Sequence, residues 1–182
     1  NDRNYSYLGL RGFGRPGDYN SRVLLLIDGH RINENIYDSL LLGTEFVLDV
    51  DLIDRIEFTR GPGSSLYGSN AFLATVHIFT RRGTRMGGTE TSIEAGSLGT
   101  YKGRLSYGNR FPNGTEAVLS GSYFQSEGHK RLYYSEYDNP VTHFGIAEGV
   151  DQDRYTGLFA SFSHQDFEFQ GAWNRRRKTV PT

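Results

Sequence analysis

A glycine-rich string near the start of the chain is the first pattern whose spacing could do chemistry. Gly12-Phe13-Gly14-Arg15-Pro16-Gly17 matches the Gly-x-Gly-x-x-Gly spacing that places backbone N–H groups around a pyrophosphate in dinucleotide-binding folds. Pyrophosphate binding of this kind requires a helix to begin at the last glycine. Here the chain instead reaches the β-rich run 23–27. The sequence therefore argues against a nucleotide site, and 61–68 lacks the Lys-Ser/Thr of a P-loop.

The side chains that usually carry catalysis or bind metals follow no catalytic pattern. The five histidines lack paired ligand spacing, and cysteine is absent. Asp49, Asp51 and Asp54 stand where a helical turn would begin, which favours acids for electrostatic reasons alone. No serine lies in a nucleophile elbow, and no catalytic motif places a carboxylate pair. We expect no enzyme activity, metal site or cofactor.

The composition limits the possible partners. Lys+Arg number 20 against 21 Asp+Glu, so no large positive field is available for nucleic acid, and we expect none to bind. No apolar run approaches the roughly 20 residues of a membrane helix. If the chain meets a bilayer, it must do so as β-strands.

The elements predicted up to about Gly83 are short and mixed. They are a strand at 23–27 that is buried on both faces, an Asp28-Gly29 turn back through Arg31 and Ile32, a helical turn at 51–54, a strand at 55–59, a short helix capped by Ser64 or Ser65 and reaching Tyr67, and a strand at 72–80. This half is predicted to be a small α+β unit.

From about Thr89 the sequence alternates every two residues, the period that separates the faces of a sheet. It predicts roughly five strands of about 9 to 11 residues, the length of a tilted membrane-crossing strand. Tight turns at 111–114 and 164–166 and a long polar loop at 127–153 fit an outer-membrane barrel. For the strand predicted at 154–164, the sequence does not decide which residues lie on which face of the sheet. The alternative is an ordinary antiparallel sheet with one solvated face.

Five aromatic residues of this half have the apolar body and polar edge of a membrane-interface girdle. They are Tyr101, Tyr107, Tyr123, Tyr155 and Trp173.

Several ordered pieces of the first half carry a family resemblance. They are Leu10-Arg11-Gly12-Phe13-Gly14, SRVLLLIDGHRIN from Ser21, VDLIDRIEFTRGPGSSLYGSNA from Val50, and Thr80-Arg81-Arg82-Gly83. Together they closely resemble the plug signature of TonB-dependent outer-membrane receptors. His77 is a departure, because relatives usually carry Asn there.

The resemblance implies a fold and a location. Residues 1–84 would be an N-terminally truncated α+β plug domain. Residues 85–182 would be antiparallel strands, the first five of an incomplete transmembrane β-barrel of about 22 strands. The protein would lie in the bacterial outer membrane, in contact with its lipid, and engage the TonB energy-transducing complex through a segment outside this sequence.

The resemblance also suggests roles for individual residues. Arg60 and Glu57 would form a plug–barrel contact, or pair within the plug. The plug turns would depend on Gly61, Pro62, Gly63, Tyr67 and Gly68. Arg11 is the first candidate for ligand contact, because a guanidinium binds an anionic chelate in bidentate fashion; its alternative is a pair inside the plug. Weaker ligand candidates are Phe13 and Tyr19. Tyr133, Tyr134 and Tyr137 of the long loop would line the entrance, and are equally candidates for girdle or loop-packing residues.

The function implied is energy-coupled uptake of a scarce ligand. A ferric siderophore is the leading cargo and cobalamin the rival, so the small-molecule partner would be a metal chelate or a cobalamin-like ligand. A ligand-sensing signal transducer of the same fold, and a passive structural or adhesive β-protein, are the alternatives from other classes.

Overall fold

The computed structural model describes residue 8 and residues 19–179. The chain forms two compact units that divide between Arg81 and Arg82. Each unit is built around one main sheet. No helix in the described part of the chain is long and apolar enough to cross a membrane.

The first unit holds a four-stranded mixed sheet. Its strands are β1 (Val23–Ile27), β2 (His30–Arg31), β3 (Ile53–Arg60) and β4 (Ala74–Thr80). The order across the sheet is β2-β1-β4-β3, with β1 and β4 parallel and the other pairs antiparallel. The predicted hairpin around Asp28-Gly29 is confirmed.

The core of this unit lies around β1. All five residues of β1 are buried, as predicted for a strand covered on both faces, and Leu24 is only 1% exposed. Ala71 lies in one buried cluster with Leu24 and Leu26, and Leu52 is also buried. The Asn33 side chain accepts from Leu25 N (2.9 Å) and donates to Val23 O (2.9 Å), which satisfies its amide in this interior.

The turn between β1 and β2 is hydrogen-bonded to the C-terminal end of β4. Asp28 (φ 46°) and Gly29 (φ 88°) both adopt positive φ, which the Asp-Gly pair tolerates. The Asp28 carboxylate accepts from Thr80 N (2.9 Å) and Thr80 Oγ1 (2.6 Å). Gly29 N donates to His77 Nε2 (2.9 Å), so the histidine that departs from the family pattern ties this turn to the sheet.

Two short elements of the first unit begin at residues other than those predicted. The turn predicted at 51–54 is a 3₁₀ turn at Val50–Leu52, capped by Asp49, whose Oδ1 accepts from Asp51 N at 3.1 Å. Helix α1 (Ser64–Tyr67) begins after Gly63, without a side-chain cap. The Ser64 hydroxyl donates to Ala71 O (3.3 Å) instead, which explains why the prediction of a serine cap was wrong.

The second unit holds a five-stranded antiparallel sheet. Its elements are α2 (Gly83–Met86), β5 (Gly88–Gly96), β6 (Thr100–Arg110), β7 (Glu116–Ser126), β10 (Asp153–His164) and β11 (Phe167–Lys178), with a separate hairpin of β8 (Arg131–Tyr133) and β9 (Ile146–Glu148). The order is β11-β10-β7-β6-β5. The five long strands were predicted; α2, β8 and β9 were not.

The pairing register defines two contrasting faces, because directly paired residues lie on the same face. Leu158 pairs with Trp173 and with Gly121, and Gly121 pairs with Leu105. We call this side the apolar face. It also carries Leu119, Phe162, Phe167 and Phe169, all exposed in this chain.

The opposite face, which we call the polar face, carries a hydrogen-bonded row. Arg104 is 7% exposed, and its Nη1 donates to Ser106 Oγ (2.6 Å), which shares a hydrogen bond with Ser120 Oγ (2.7 Å). Arg104 also lies 3.7 Å from Glu90 Oε2. The predicted division into one apolar and one polar face is confirmed.

The register of β10, which the sequence left open, is resolved. Leu158 and Phe162 lie on the apolar face, whereas Phe159 lies on the polar face and is only 4% exposed. Tyr155 also lies on the polar face, where it stacks on Phe124 with ring centroids 5.1 Å apart. Its assignment to the aromatic girdle was therefore wrong, because strand alternation turns it away from Trp173.

Helix α2 depends on one glycine. A Cβ on Gly83 would lie 2.6 Å from Asn109 O and 2.7 Å from Ala117 O, so only glycine allows this approach to the β6 and β7 backbones. Thr84 N and Oγ1 both donate to Glu116 Oε1, at 2.7 and 2.6 Å. These contacts hold α2 against the ends of β6 and β7.

Candidate functional site

The loop between β7 and β10 carries three of the predicted ligand residues, and its base is tightly closed. Asp151 accepts from His129 N (2.9 Å) through one carboxylate oxygen and from Lys178 Nζ (2.7 Å) through the other. A Cβ on Gly128 would overlap Asp151 O, so glycine is required where the two ends of the loop meet. The loop is thus fixed to the sheet by a charged clamp and a close backbone contact.

Burial and hydrogen bonding act in opposite directions on Asp151. Partial burial works to raise the pKa of its carboxyl group, but the hydrogen bonds from His129 N–H and the Lys178 ammonium outweigh burial. The pKa of Asp151 therefore lies below its ordinary value, and the carboxylate stays ionised well into the acid range.

Tyr133, Tyr134 and Tyr137 lie together in this loop, on and after β8. Tyr133 is 61% and Tyr137 60% exposed, whereas Tyr134 is half-buried and its N–H donates to Gly145 O at 2.8 Å. Tyr133 OH donates to Asp138 Oδ2 (2.9 Å), a bond that raises the pKa of this phenol. The rings of Tyr133 and Tyr137 are therefore available to a ligand, whereas the backbone of Tyr134 is bonded within the loop.

Two exposed apolar residues of the same loop were not among the predicted ligand residues. Val141 is 90% exposed, and Phe144 is 56% exposed in a backbone with φ 56°. A Cβ on Gly145 would overlap Tyr134 O, so the following turn is fixed by a glycine. The signal available was a Val-x-x-Phe pair directly after Asn139 and Pro140, a turn pair inside an otherwise polar loop.

Tyr19 belongs to the other compact unit. It is 56% exposed and stacks on Tyr37 with ring centroids 6.0 Å apart. Arg11 and Phe13 lie outside the described residues, so their ligand roles stay predictions.

The glycine-rich block after β3 forms the turns that the sequence predicted. Gly61 (φ 106°) and Gly68 (φ 76°) adopt positive φ, which glycine allows at little cost. Tyr67 packs across the block, because a Cβ on Gly63 would lie 3.3 Å from Tyr67 Cδ2. Gly61 N donates to Leu73 O (3.0 Å) and Gly63 N to Ala71 O (2.7 Å). With Pro62 between these glycines, the block is bonded back onto the chain leading into β4.

Glu57 and Arg60 do not pair with each other. Glu57 Oε1 accepts from Arg55 Nε at 2.9 Å, because residues two apart on a strand share a face whereas residues three apart do not. Arg55 also lies over the Phe79 ring, 3.7 Å from its centroid. Arg60 is exposed at the end of β3. The plug–barrel contact of Arg60 and Glu57 stays a prediction.

The arrangement offers contacts for binding. The long loop presents phenol rings and an apolar side chain of the kind that enclose a bulky ligand. Among residue 8 and residues 19–179, no three His, Cys, Asp or Glu side chains form a group that could hold a metal ion.

Comparisons with known proteins relate both units to one family. Residues 1–75 match the family model described as the TonB-dependent receptor plug domain. Over 165 residues the chain is 32% identical to the vitamin B12 transporter BtuB of Vibrio vulnificus (strain CMCP6). That alignment covers 90% of this chain and 24% of the transporter, so this chain spans about a quarter of the length of the curated relative it matches.

Proposed function

We propose that this chain contributes to a receptor for energy-coupled uptake of cobalamin. The chain belongs to the TonB-dependent receptor family of bacterial outer-membrane proteins. In this proposal residues 1–84 form the plug domain and residues 85–182 the first strands of the barrel wall. The family consists of receptors and transporters, so the chain's task is to bind and move a ligand.

The similarity to a vitamin B12 transporter carries the choice of cargo. It extends over 90% of the chain, beyond the plug and through the sheet of the second unit. The ferric siderophore favoured from the sequence gains no support from that relative, and it stays a prediction for the same experiment to test.

The exposed rings of the long loop support the binding step. A corrin ring has a broad, largely apolar plane with polar amides at its edge. Exposed Tyr133, Tyr137 and Phe144 supply aromatic faces for such a plane, and the two tyrosines add hydroxyl groups for its edge. The clamp of His129 and Lys178 on Asp151 holds the loop base, so the rings need little ordering on binding.

The force that moves the plug would be supplied by TonB, which lies outside this chain. In the proposed cycle, ligand binds to the outer loops, and TonB pulls the plug from the periplasmic side so that a path opens. The plug and loops supply no covalent chemistry in this scheme; they bind, shield and release.

The deciding experiment measures uptake by the full-length receptor. Cells lacking their own cobalamin and siderophore receptors would express it with TonB present or absent, and would receive labelled cyanocobalamin or a labelled ferric siderophore. We expect cyanocobalamin to accumulate only with TonB. TonB-dependent accumulation of the siderophore alone would replace the cargo, and binding without accumulation would favour the ligand-sensing transducer.

A further inference from the structure

One imidazole connects the turn between β1 and β2 to the first sheet. Gly29 N donates to His77 Nε2 at 2.9 Å, across 48 positions of sequence. An imidazole nitrogen accepts a hydrogen bond only while it carries no proton, so this bond exists only in the neutral form of His77, with the proton on Nδ1. The turn is thus bonded to a side chain whose charge ordinarily changes between about pH 5 and 8.

Aromatic contacts hold the plane of the His77 ring. His77 is half-buried on β4, and its ring stacks on Phe79 with ring centroids 4.0 Å apart and an angle of 29° between the planes. The Arg55 guanidinium lies over the same Phe79 ring, 3.7 Å from its centroid. The bond to Gly29 is therefore made by a ring that its neighbours hold in place.

Charged side chains face His77 from the neighbouring elements, and each has a partner of its own. Arg31 on β2 and Glu57 on β3 lie in the same row of paired residues as His77. Arg55 lies on the same face of β3, and Asp28 is in the turn itself. Their partners are Asp38 for Arg31, Glu57 for Arg55 and Thr80 for Asp28. In the part of the chain that the structure describes, the charges around His77 are thus bonded to other groups.

Protonation would turn an attraction into a repulsion at Gly29. A proton on His77 Nε2 would place a second donor against Gly29 N–H, and two donors cannot share a hydrogen bond. Glu57 is directly paired with His77 across β3 and β4, so their Cβ atoms lie roughly 5 Å apart on one face. A carboxylate at that spacing attracts the charged ring. The neutral ring therefore favours Gly29, and the charged ring favours Glu57.

The remaining bonds of the turn do not involve His77. Asp28 N donates to Ile78 O (2.9 Å), and the Asp28 carboxylate accepts from Thr80 N and Thr80 Oγ1. Carboxylates ordinarily titrate at about pH 4, well below an imidazole. Loss of the bond to His77 therefore loosens the turn at Gly29, while Asp28 keeps it attached to β4.

We infer that His77 makes the β1–β2 turn sensitive to pH. At neutral pH the ring accepts from Gly29 N–H, and in mild acid the protonated ring leaves Gly29 and pairs with Glu57. The bond is thus present above the titration range of the ring and is lost as pH falls through it. An asparagine at this position, as in the family pattern, would not titrate in this range. This property concerns the first unit alone, and it does not depend on which cargo the receptor carries.

Hydrogen exchange in the full-length receptor tests the inference without any cargo. The receptor in phosphatidylcholine nanodiscs would be exchanged at several pH values between about 5 and 8, with site resolution by electron-transfer fragmentation and correction for the chemical exchange rate. We expect protection at Gly29 N–H to fall about fivefold or more at the acid end, the effect of one hydrogen bond of ordinary net strength. Protection at Thr80 N–H should stay constant. Constant protection at Gly29 N–H would overturn the inference.

Two substitutions of His77 separate its charge from its shape. His77→Gln keeps an acceptor, Oε1, that does not titrate, so Gly29 should be equally protected at every pH in the range. His77→Phe keeps a ring for the stack on Phe79 but has no acceptor, so Gly29 should be weakly protected throughout. Protection at Thr80 N–H checks that the sheet is intact in both variants. His30→Gln is the matched control, because His30 is an exposed histidine directly after Gly29 whose ring does not accept this bond.

The outcomes decide for or against His77 as the cause. The pH-dependent loss of protection should remain in His30→Gln and disappear in His77→Gln. A loss that persists in His77→Gln would assign it to another group and overturn the inference. Glu57→Gln should move the loss to lower pH, because the charged ring then lacks its carboxylate, and an unchanged midpoint would contradict the pairing with Glu57. Failure of cobalamin uptake would count only against the proposed function, since no cargo enters this measurement.

Discussion

In the first unit, β1 carries five consecutive apolar residues that are all buried, whereas in the second unit large apolar side chains of alternating strands remain exposed. Leu24 is 1% exposed, and Leu105 and Leu119 are each 59% exposed. Strand β1 of the first sheet is covered on both faces within the chain, although Ile56 and Phe58 on the edge strand β3 are 56% and 47% exposed. The second presents its apolar side chains outward on one face and a hydrogen-bonded polar row on the other.

This difference shows that the spacing of apolar residues along a strand reflects the environment of the two faces of its sheet. A continuous apolar run belongs to a strand covered on both faces by protein, while strict alternation belongs to a sheet between two environments. In water, the apolar face of β6, β7, β10 and β11 would be an aggregation-prone surface. In an outer membrane it contacts lipid, which makes the same residues favourable.

Shortening the buried leucine should give the largest effect. Leu24→Ala should lower the free energy of unfolding of the first unit by about 2–5 kcal/mol, because a buried leucine leaves a cavity. Denaturant-dependent hydrogen exchange of β1 and β4 peptides in the full-length receptor measures it. Leu119→Ala on the apolar face is the control and should change stability by less than about 1 kcal/mol. Equal losses in both variants would contradict the contrast between the sheets.

A charge placed on the apolar face should act according to its depth. Leu105→Arg should destabilise the folded receptor in a bilayer by about 2–4 kcal/mol, while Tyr101→Arg should cost about 0–1 kcal/mol. The two residues are a matched pair, since they lie on the same face of β6 and are 59% and 60% exposed. Urea titration of the receptor in phospholipid vesicles measures both. If the Leu105→Arg and Tyr101→Arg variants are equally stable, this face contacts water.

Removing one carboxylate from the β1–β2 turn should have a smaller effect. Asp28→Asn keeps an acceptor for only one of the two bonds to Thr80, so we expect a loss of about 1–2 kcal/mol in the first unit. Asp166→Asn, in the exposed turn between β10 and β11, should stay within about 0.5 kcal/mol. Hydrogen exchange at Thr80 N is the most direct readout. Unchanged protection there would show that the side-chain bonds contribute little.

The pH dependence of the loop base should be the smallest effect. The folded pKa of Asp151 is depressed, so its clamp is fully present above the unfolded value near 3.8 and is lost as pH falls through the lower folded pKa. We expect opening of 128–151, measured by proteolysis with an acid-active protease, to increase only below about pH 3.8. Asp151→Asn should make opening independent of pH in this window. If opening of the loop still increases at acid pH in the Asp151→Asn variant, another titrating group causes that increase.

Periodicity predicted the strands better than the loops. The five buried residues of β1 and the alternation of β6 and β7 were predicted because a short apolar run beside a turn signal favours a buried strand, and two-residue alternation favours a sheet with two unlike faces. The register of β10 could not be predicted, since Leu158, Phe159 and Ala160 are apolar on both sides of the alternation. Only the pairing with β7 and β11 decides which side each one faces.

The features that sequence reasoning missed depend on contacts between distant residues. Gly29 and His77 are 48 positions apart and become neighbours only through the parallel pairing of β1 and β4. Gly83 is required because it approaches the backbone of Asn109, which local sequence does not reveal. The loop tyrosines were found as candidates by their type, but which of them is exposed follows from the β8–β9 hairpin and Gly145.

The parallel pairing of β1 and β4 has a mechanical consequence. Val23 lies beside Ala74 and Ile27 beside Ile78, so the chain enters β1 at one end of the pair and leaves β4 at the other. Tension applied between these two points loads the interstrand hydrogen bonds in shear, and they resist together. A hairpin such as β10–β11, pulled from its open end, would instead unzip one bond at a time. A pull on the residues before β1 would therefore load the β1–β4 pair in shear.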